Sequence, residues 1–139
     1  MREQTYTIMQ PPVPWARAGW NQRTGRYYDT QFKVKQTYKD ILIEQHKDKE
    51  LWYGPISCTL RFFMKLPVNQ KARRALEEQH YHKGTPDTSN LIKFIEDAAM
   101  GVLYDDDCII AHIDAYKVYD ITPRTELTIK GLCYEKEIF

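Results

Sequence analysis

The chain has 139 residues, 42% of them hydrophobic, which suits one domain spanning 1–139 with its own core and argues against disorder. No apolar run approaches the roughly 18 residues of a membrane span, and the opening MREQTYTIMQPP has no apolar secretion core, so a soluble cytoplasmic protein is expected. The net charge of +1 hides a split: residues 1–83 carry 15 Lys and Arg against 8 Asp and Glu, and residues 84–139 carry 5 against 11.

Such a split points to nucleic-acid contact or a metal site, or to two halves that neutralise each other across the fold. The cysteines, Cys58, Cys108 and Cys133, are odd in number, far apart and without a CxxC pair. Neither a zinc site nor a disulfide framework follows, and reduced thiols are expected.

In chain order, residues 4–9 alternate and predict a first strand. Residues 11–30 read as a loop rich in Pro, Arg and aromatics, with a turn at Arg23-Thr24-Gly25-Arg26. Asp29 or Thr30 then caps a helix to about Lys47, with Val34, Tyr38, Ile41, Leu42 and Gln45 along one side. Gly54-Pro55 breaks the chain before a strand whose Ile56, Cys58, Leu60, Phe62 and Met64 form one apolar face. Residues 69–79 suit a short exposed helix with Asn69 near its cap. Gly84 and Pro86 keep 80–86 a loop. The next helix starts between Asp87 and Asn90, runs to about Met100 and stops at Gly101. Residues 109–119 and 125–134 read as two strands joined as a hairpin through Pro123-Arg124-Thr125. The expected fold is α+β, with a mixed sheet of about four to five strands packed against two main helices.

Chemistry gathers around the helix that ends at Met100. Leu91, Phe94, Ile95 and Ala98 seek the core, while Asn90, Lys93 and Asp97 line one polar stripe. Asp87 precedes the helix, and Asp105, Asp106 and Asp107 follow it. If the connection folds back along the helix, Asp87 and the triplet converge as oxygen ligands for Mg²⁺ or Mn²⁺. The plainer alternative makes Asp87 an N-cap and the triplet a solvated turn, although three adjacent aspartates repel one another and a turn needs no such run.

The loop at 14–28 sets Arg17, Arg23 and Arg26 among Trp15, Trp20, Tyr27 and Tyr28, a mixture that reads phosphates and stacks on unpaired bases, or else packs its rings inward. His80 and His82 flank Tyr81 beside Lys83, where a phosphate contact fits better than a metal. His46 and His112 show no partner.

The stretch PDTSNLIKFIEDAAMGVLYDDDCII, residues 86–110, resembles the signature of RusA-type Holliday-junction resolvases. That pattern runs Pro-Asp-x-Asp-Asn-Leu-x-Lys, then Asp-Ala, a Gly turn, and Asp-Asp before a strand. The order of the flanking elements is also similar. The resemblance implies a homodimeric, phage- or prophage-type endodeoxyribonuclease that resolves branched DNA with Mg²⁺ (or Mn²⁺) and no small-molecule cofactor. By position it makes Asp87, Lys93 and Asp107 catalytic and Asp87, Asp106 and Asp107 metal ligands. Ser89, Asn90, Asp97 and Asp105 take supporting places, and Asp105 with Asp106 is the alternative alignment of the pair. DNA would be held by Arg17, Arg23, Arg26, Arg73, Arg74, His82 and Lys83. One position departs: Ser89 stands where the pattern has its second aspartate, which leaves open a non-catalytic binder of branched DNA.

Overall fold

The computed structural model describes residues 2–47, 49–67, 69 and 81–132. The helix expected at 69–79, with Arg73 and Arg74, lies outside these residues except for Asn69, as do His80 and Cys133. In chain order the elements are β1 (Glu3–Ile8), β2 (Gly19–Asn21), β3 (Arg26–Tyr28), α1 (Phe32–His46), β4 (Ile56–Lys65), α2 (Thr88–Ala99), β5 (Ile110–Asp120) and β6 (Arg124–Gly131). A 3-10 turn, Asp107–Ile109, leads into β5. Among the described residues no helix is long and apolar enough to cross a membrane.

Strict alternation in β4 buries Ile56, Cys58, Leu60, Phe62 and Met64 and leaves the intervening side chains half-buried. A strand patterned this way belongs in the middle of a sheet with one face covered. The four-stranded order is β1-β6-β4-β5, with β5 parallel to β4 and the other pairs antiparallel. A parallel pair needs a long crossover, and α2 lies in it. β1 and β6 send Tyr6, Ile8, Leu127 and Ile129 to the core that β4 faces, while Thr5 and Thr128 share a hydrogen bond of 2.9 Å on the opposite side. Both helices cover the inward face. Tyr38 of α1 meets Phe94 of α2 edge-on at 5.0 Å, and both are fully buried. Among the described residues the result is an α+β arrangement of two helices and a mixed sheet.

Three local expectations change. β5 and β6 are consecutive but do not pair, because β4 lies between them. Two strand spacings are about 9.6 Å, which the short link after Asp120 spans when extended. Arg124 fixes this link: it stacks on Phe63 at 3.7 Å, donates to the Thr122 carbonyl at 2.9 Å and pairs with Asp120 at 3.5 Å. The 11–30 loop contains a two-stranded ribbon, β2 with β3, closed by Gly25 at φ +64°. The N-cap of α1 is Gln31, whose N–H donates to Asp29 at 2.8 Å, so Asp29 acts from two residues upstream.

His46, expected without a partner, is instead 3% exposed. Its Nε2 lies 3.0 Å from the Glu50 carbonyl and must carry the proton. Nδ1 then accepts from the Tyr6 hydroxyl at 2.8 Å, and that oxygen accepts from Trp52 Nε1 at 3.1 Å. Each polar atom of this buried chain is satisfied.

Candidate functional site

Helix α2 is amphipathic, and Leu91, Phe94, Ile95, Ala98 and Ala99 are its buried side. Asp87 occupies its N-cap position, yet the side chain makes no capping hydrogen bond. Only the Asp87 carbonyl is engaged, by the N–H groups of Asn90 and Leu91. The exposed carboxylate therefore does not do the job that a plain N-cap would give it. Just upstream, the Lys117 ammonium of β5 donates to the carbonyls of Gly84 and Pro86, which holds this end of α2 over the far half of β5.

At the other end Gly101, at φ +81°, turns the chain and donates its N–H to the Tyr104 carbonyl at 2.7 Å. The Tyr104 hydroxyl reaches back to the Glu96 carbonyl at 3.0 Å. The triplet follows. Asp105 is exposed, Asp106 caps the 3-10 turn by accepting from the Cys108 N–H at 3.0 Å, and Asp107 is half-buried. That hydrogen bond, with the neighbouring Asp107, holds the Asp106 carboxyl below its ordinary range. Asp107 points to α2 and comes within hydrogen-bonding reach of Glu96. Burial first, then the negative Asp107, pushes the Glu96 carboxyl above its ordinary value, and Asp97 adds to the effect.

The connection thus folds back onto the second half of α2. Asp87 and Glu96 are nine positions apart, roughly 13 Å along a helix axis. Asp107 of the triplet meets Glu96, and among the described residues no three carboxylates, imidazoles or thiols converge to form a complete ion site. Glu96 lies beside the polar stripe of Asn90, Lys93 and Asp97, not on it, so the stripe does not point to it. Its signal was its place one turn after Lys93, facing whatever the Gly101 turn returns.

Lys93 is exposed, and its ammonium sits 3.6 Å from the centre of the Trp15 ring, a cation–π contact. Trp15 is itself fixed by its N–H on the Asn90 carbonyl at 2.9 Å. Ser89 is exposed and Asn90 half-buried in the first turn. Arg17, Arg23 and Arg26 are exposed on and beside the β2–β3 ribbon, and Lys83 is exposed on the loop before α2. His82 is half-buried against Tyr119, with ring centres 4.8 Å apart. Burial, then Lys117, keeps its imidazole below the usual value and so more often neutral.

The donor set suits a hard cation. Mg²⁺ keeps several waters and commonly takes only one or two protein carboxylates alongside substrate phosphate oxygens. Two carboxylates pressed together, as Glu96 and Asp107 are, repel until a proton or a cation offsets one charge. The pair therefore fits such an ion without a third protein ligand.

An uncharacterized protein of Bacillus subtilis (strain 168), YqaN, is 25% identical over 133 residues, covering 90% of this chain and 94% of that protein. The family model of the endodeoxyribonuclease RusA matches residues 10–130, which include every described element from β2 to β5 and nearly all of β6. The chain belongs to the RusA endodeoxyribonuclease family.

Proposed function

We propose that this protein is a metal-dependent endonuclease that hydrolyses phosphodiester bonds at branched DNA, the four-way junction in particular, and acts as a homodimer in phage-type recombination or repair. The reading is carried by the contact between Asp107 and Glu96 at the start of β5, in a chain matched to this family from residue 10 to 130. Asp107 and Glu96 would hold Mg²⁺ or Mn²⁺, with Asp106 shaping the turn that presents Asp107. When bound, such an ion polarises the phosphate and makes a water acidic enough to attack. Lys93 places a positive charge near the phosphate, where it offsets charge that develops in the transition state. Asp87, with no capping duty, is a second carboxylate at the other end of the same helix. Basic residues of the first half, Arg17, Arg23, Arg26 and Lys83 among them, grip the DNA backbone.

A second reading has its own observation. Ser89 stands where the family pattern has an aspartate, which leaves the first turn of α2 one carboxylate short of that pattern. A chain so altered would bind branched DNA without cutting it.

One experiment separates the two. A labelled four-way junction is incubated with the protein, with and without Mg²⁺ or Mn²⁺, and scored for both binding and nicks. Metal-dependent nicking that Asp107→Asn and Asp87→Asn abolish, with binding retained, is the expected result. Binding with no nicks at any metal concentration selects the second reading, and no binding at all removes both.

A further inference from the structure

The β2–β3 ribbon lacks the support that would explain its side chains. Trp20 and Tyr27 are cross-strand partners, so their rings stand on the same face, 4.7 Å apart and edge-on. They are nevertheless 51% and 74% exposed. The other face is closed by Tyr28, whose ring lies over Gly19; a Cβ at Gly19 would meet that ring at 2.3 Å. Only glycine lets the ribbon keep this backing. A two-stranded ribbon alone is marginally stable, and this one is held at its base. Gln31 accepts from the Ala16 N–H at 3.0 Å and donates to the Pro14 carbonyl at 2.8 Å, and Thr30 donates to the Arg17 carbonyl at 3.2 Å. At its tip, the Asn21 side chain accepts from the Arg23 N–H at 2.9 Å. The ribbon is thus a braced arm that carries an aromatic pair out into water.

The surrounding charge selects what that pair meets. Residues 17–35 hold five Lys and Arg against one acid, Asp29. Asp29 is already paired with Lys35 at 3.1 Å. A second copy of this chain, docking about a two-fold axis, would set this positive patch against itself. An anionic polymer with free π-faces suits both features. Duplex DNA has the charge but keeps its bases stacked inside, whereas a branch point or a single strand offers bases that can be stacked upon. The ribbon's base also adjoins the candidate site, because Trp15, which leads into it, touches Lys93 and Asn90.

We infer that the β2–β3 ribbon is a base-stacking platform, in which Trp20 and Tyr27 take an unpaired base at the branch point while Arg17, Arg23 and Arg26 hold the flanking phosphates. The inference rests on the branched-DNA reading above and adds the element that tells a branch from a plain duplex.

The test compares the wild type, Trp20→Ala/Tyr27→Ala, Trp20→Phe and Arg23→Ala/Arg26→Ala. Each is measured in metal-free buffer against a four-way junction, a linear duplex of equal length and a single-stranded oligonucleotide. A second readout places 2-aminopurine at the branch, whose fluorescence is quenched on stacking. The aromatic double variant is expected to lose about tenfold or more in affinity for junction and single strand. It should bind the duplex within about twofold of wild type and lose the quenching. Trp20→Phe should recover most of both. The arginine variant should weaken all three DNAs and flatten the salt dependence. Equal affinities for wild type and aromatic variant, or equal loss on all three DNAs, would overturn the platform and leave the nuclease reading standing. Failure of the wild type to bind any DNA would overturn both. Conversion of the aromatic variant from dimer to monomer in sedimentation would also overturn the platform and make the ribbon a subunit interface.

Discussion

Two residue-scale arrangements carry distinct consequences. Asp107 presses a carboxylate toward Glu96, which burial and charge already disfavour as an anion. Asp107→Asn removes that repulsion together with a proposed metal ligand. In metal-free buffer its melting temperature should equal or exceed that of wild type, while junction cleavage with Mg²⁺ falls by on the order of a hundredfold or more. A melting temperature that drops along with activity would mean the variant had lost structure and not a ligand. The second arrangement is the Tyr6–His46–Trp52 chain. Burial, above all, holds the His46 imidazole below its ordinary value. The unfolded chain therefore takes up a proton more readily than the folded one. The resulting stability is present in full above about pH 6.5, the unfolded value, and drains away as pH falls through the folded value. Urea midpoints should decline between pH 7.5 and 5.5, and His46→Leu should flatten that decline. Tyr6→Phe strands the Trp52 N–H and His46 Nδ1 at once and should cost about 1–3 kcal/mol. Neither arrangement was legible in sequence, since His46 and Glu96 acquire their meaning from residues forty and eleven positions away.

Elements were more legible than residues because their signals are local. The apolar alternation of β4, the Asp87-to-Gly101 limits of α2 and the helix starting near residue 30 all depend on neighbours in sequence. Strand order does not. The short link after Asp120 fits a hairpin, but it fits equally a step across β4, and the choice falls to the parallel pairing of β4 with β5. The ribbon was similarly hidden, its strands being too short for a periodic signal. One element-scale contact supports the candidate site directly. Lys39 of α1 reaches the C-terminal end of α2, donating to the carbonyls of Ala98 at 3.1 Å and Met100 at 2.9 Å and, more loosely, to Asp97 at 3.4 Å. A cation there satisfies carbonyls that a helix end leaves open and complements its dipole. Lys39→Met keeps the stem and removes the charge. It should cost about 1–2 kcal/mol in urea unfolding. Because Glu96 and the Gly101 turn lie at the same end, it should also reduce cleavage more than binding. Unchanged stability would show that water caps this end equally well.

At the scale of the whole molecule, the charge split acquires a spatial meaning. The acidic excess of the second half gathers partly at the C-terminal end of α2 and the start of β5, and part of the basic excess of the first half stands on the ribbon and its flanks. Without a cation, Glu96, Asp107 and Asp97 oppose the approach of a phosphate; with one, the same groups attract it. Cation binding and DNA binding should therefore be separable by mutation yet coupled in the intact protein. Mn²⁺ alone should raise the melting temperature of wild type, since an ion held only by the folded state adds about 2.7 kcal/mol at a hundredfold excess over its dissociation constant. Asp107→Asn should abolish that rise and Arg23→Ala/Arg26→Ala should leave it intact, because those arginines lie on the ribbon and not among the carboxylates. Junction affinity should show the reverse sensitivity in metal-free buffer: the arginine variant binds more weakly, and Asp107→Asn binds as well as wild type or better, having one negative charge fewer to repel the DNA. In wild type, adding Mn²⁺ should tighten junction binding, and in Asp107→Asn it should not. A Mn²⁺-induced rise in melting temperature that survives Asp107→Asn would place the ion elsewhere, and with it the cutting centre.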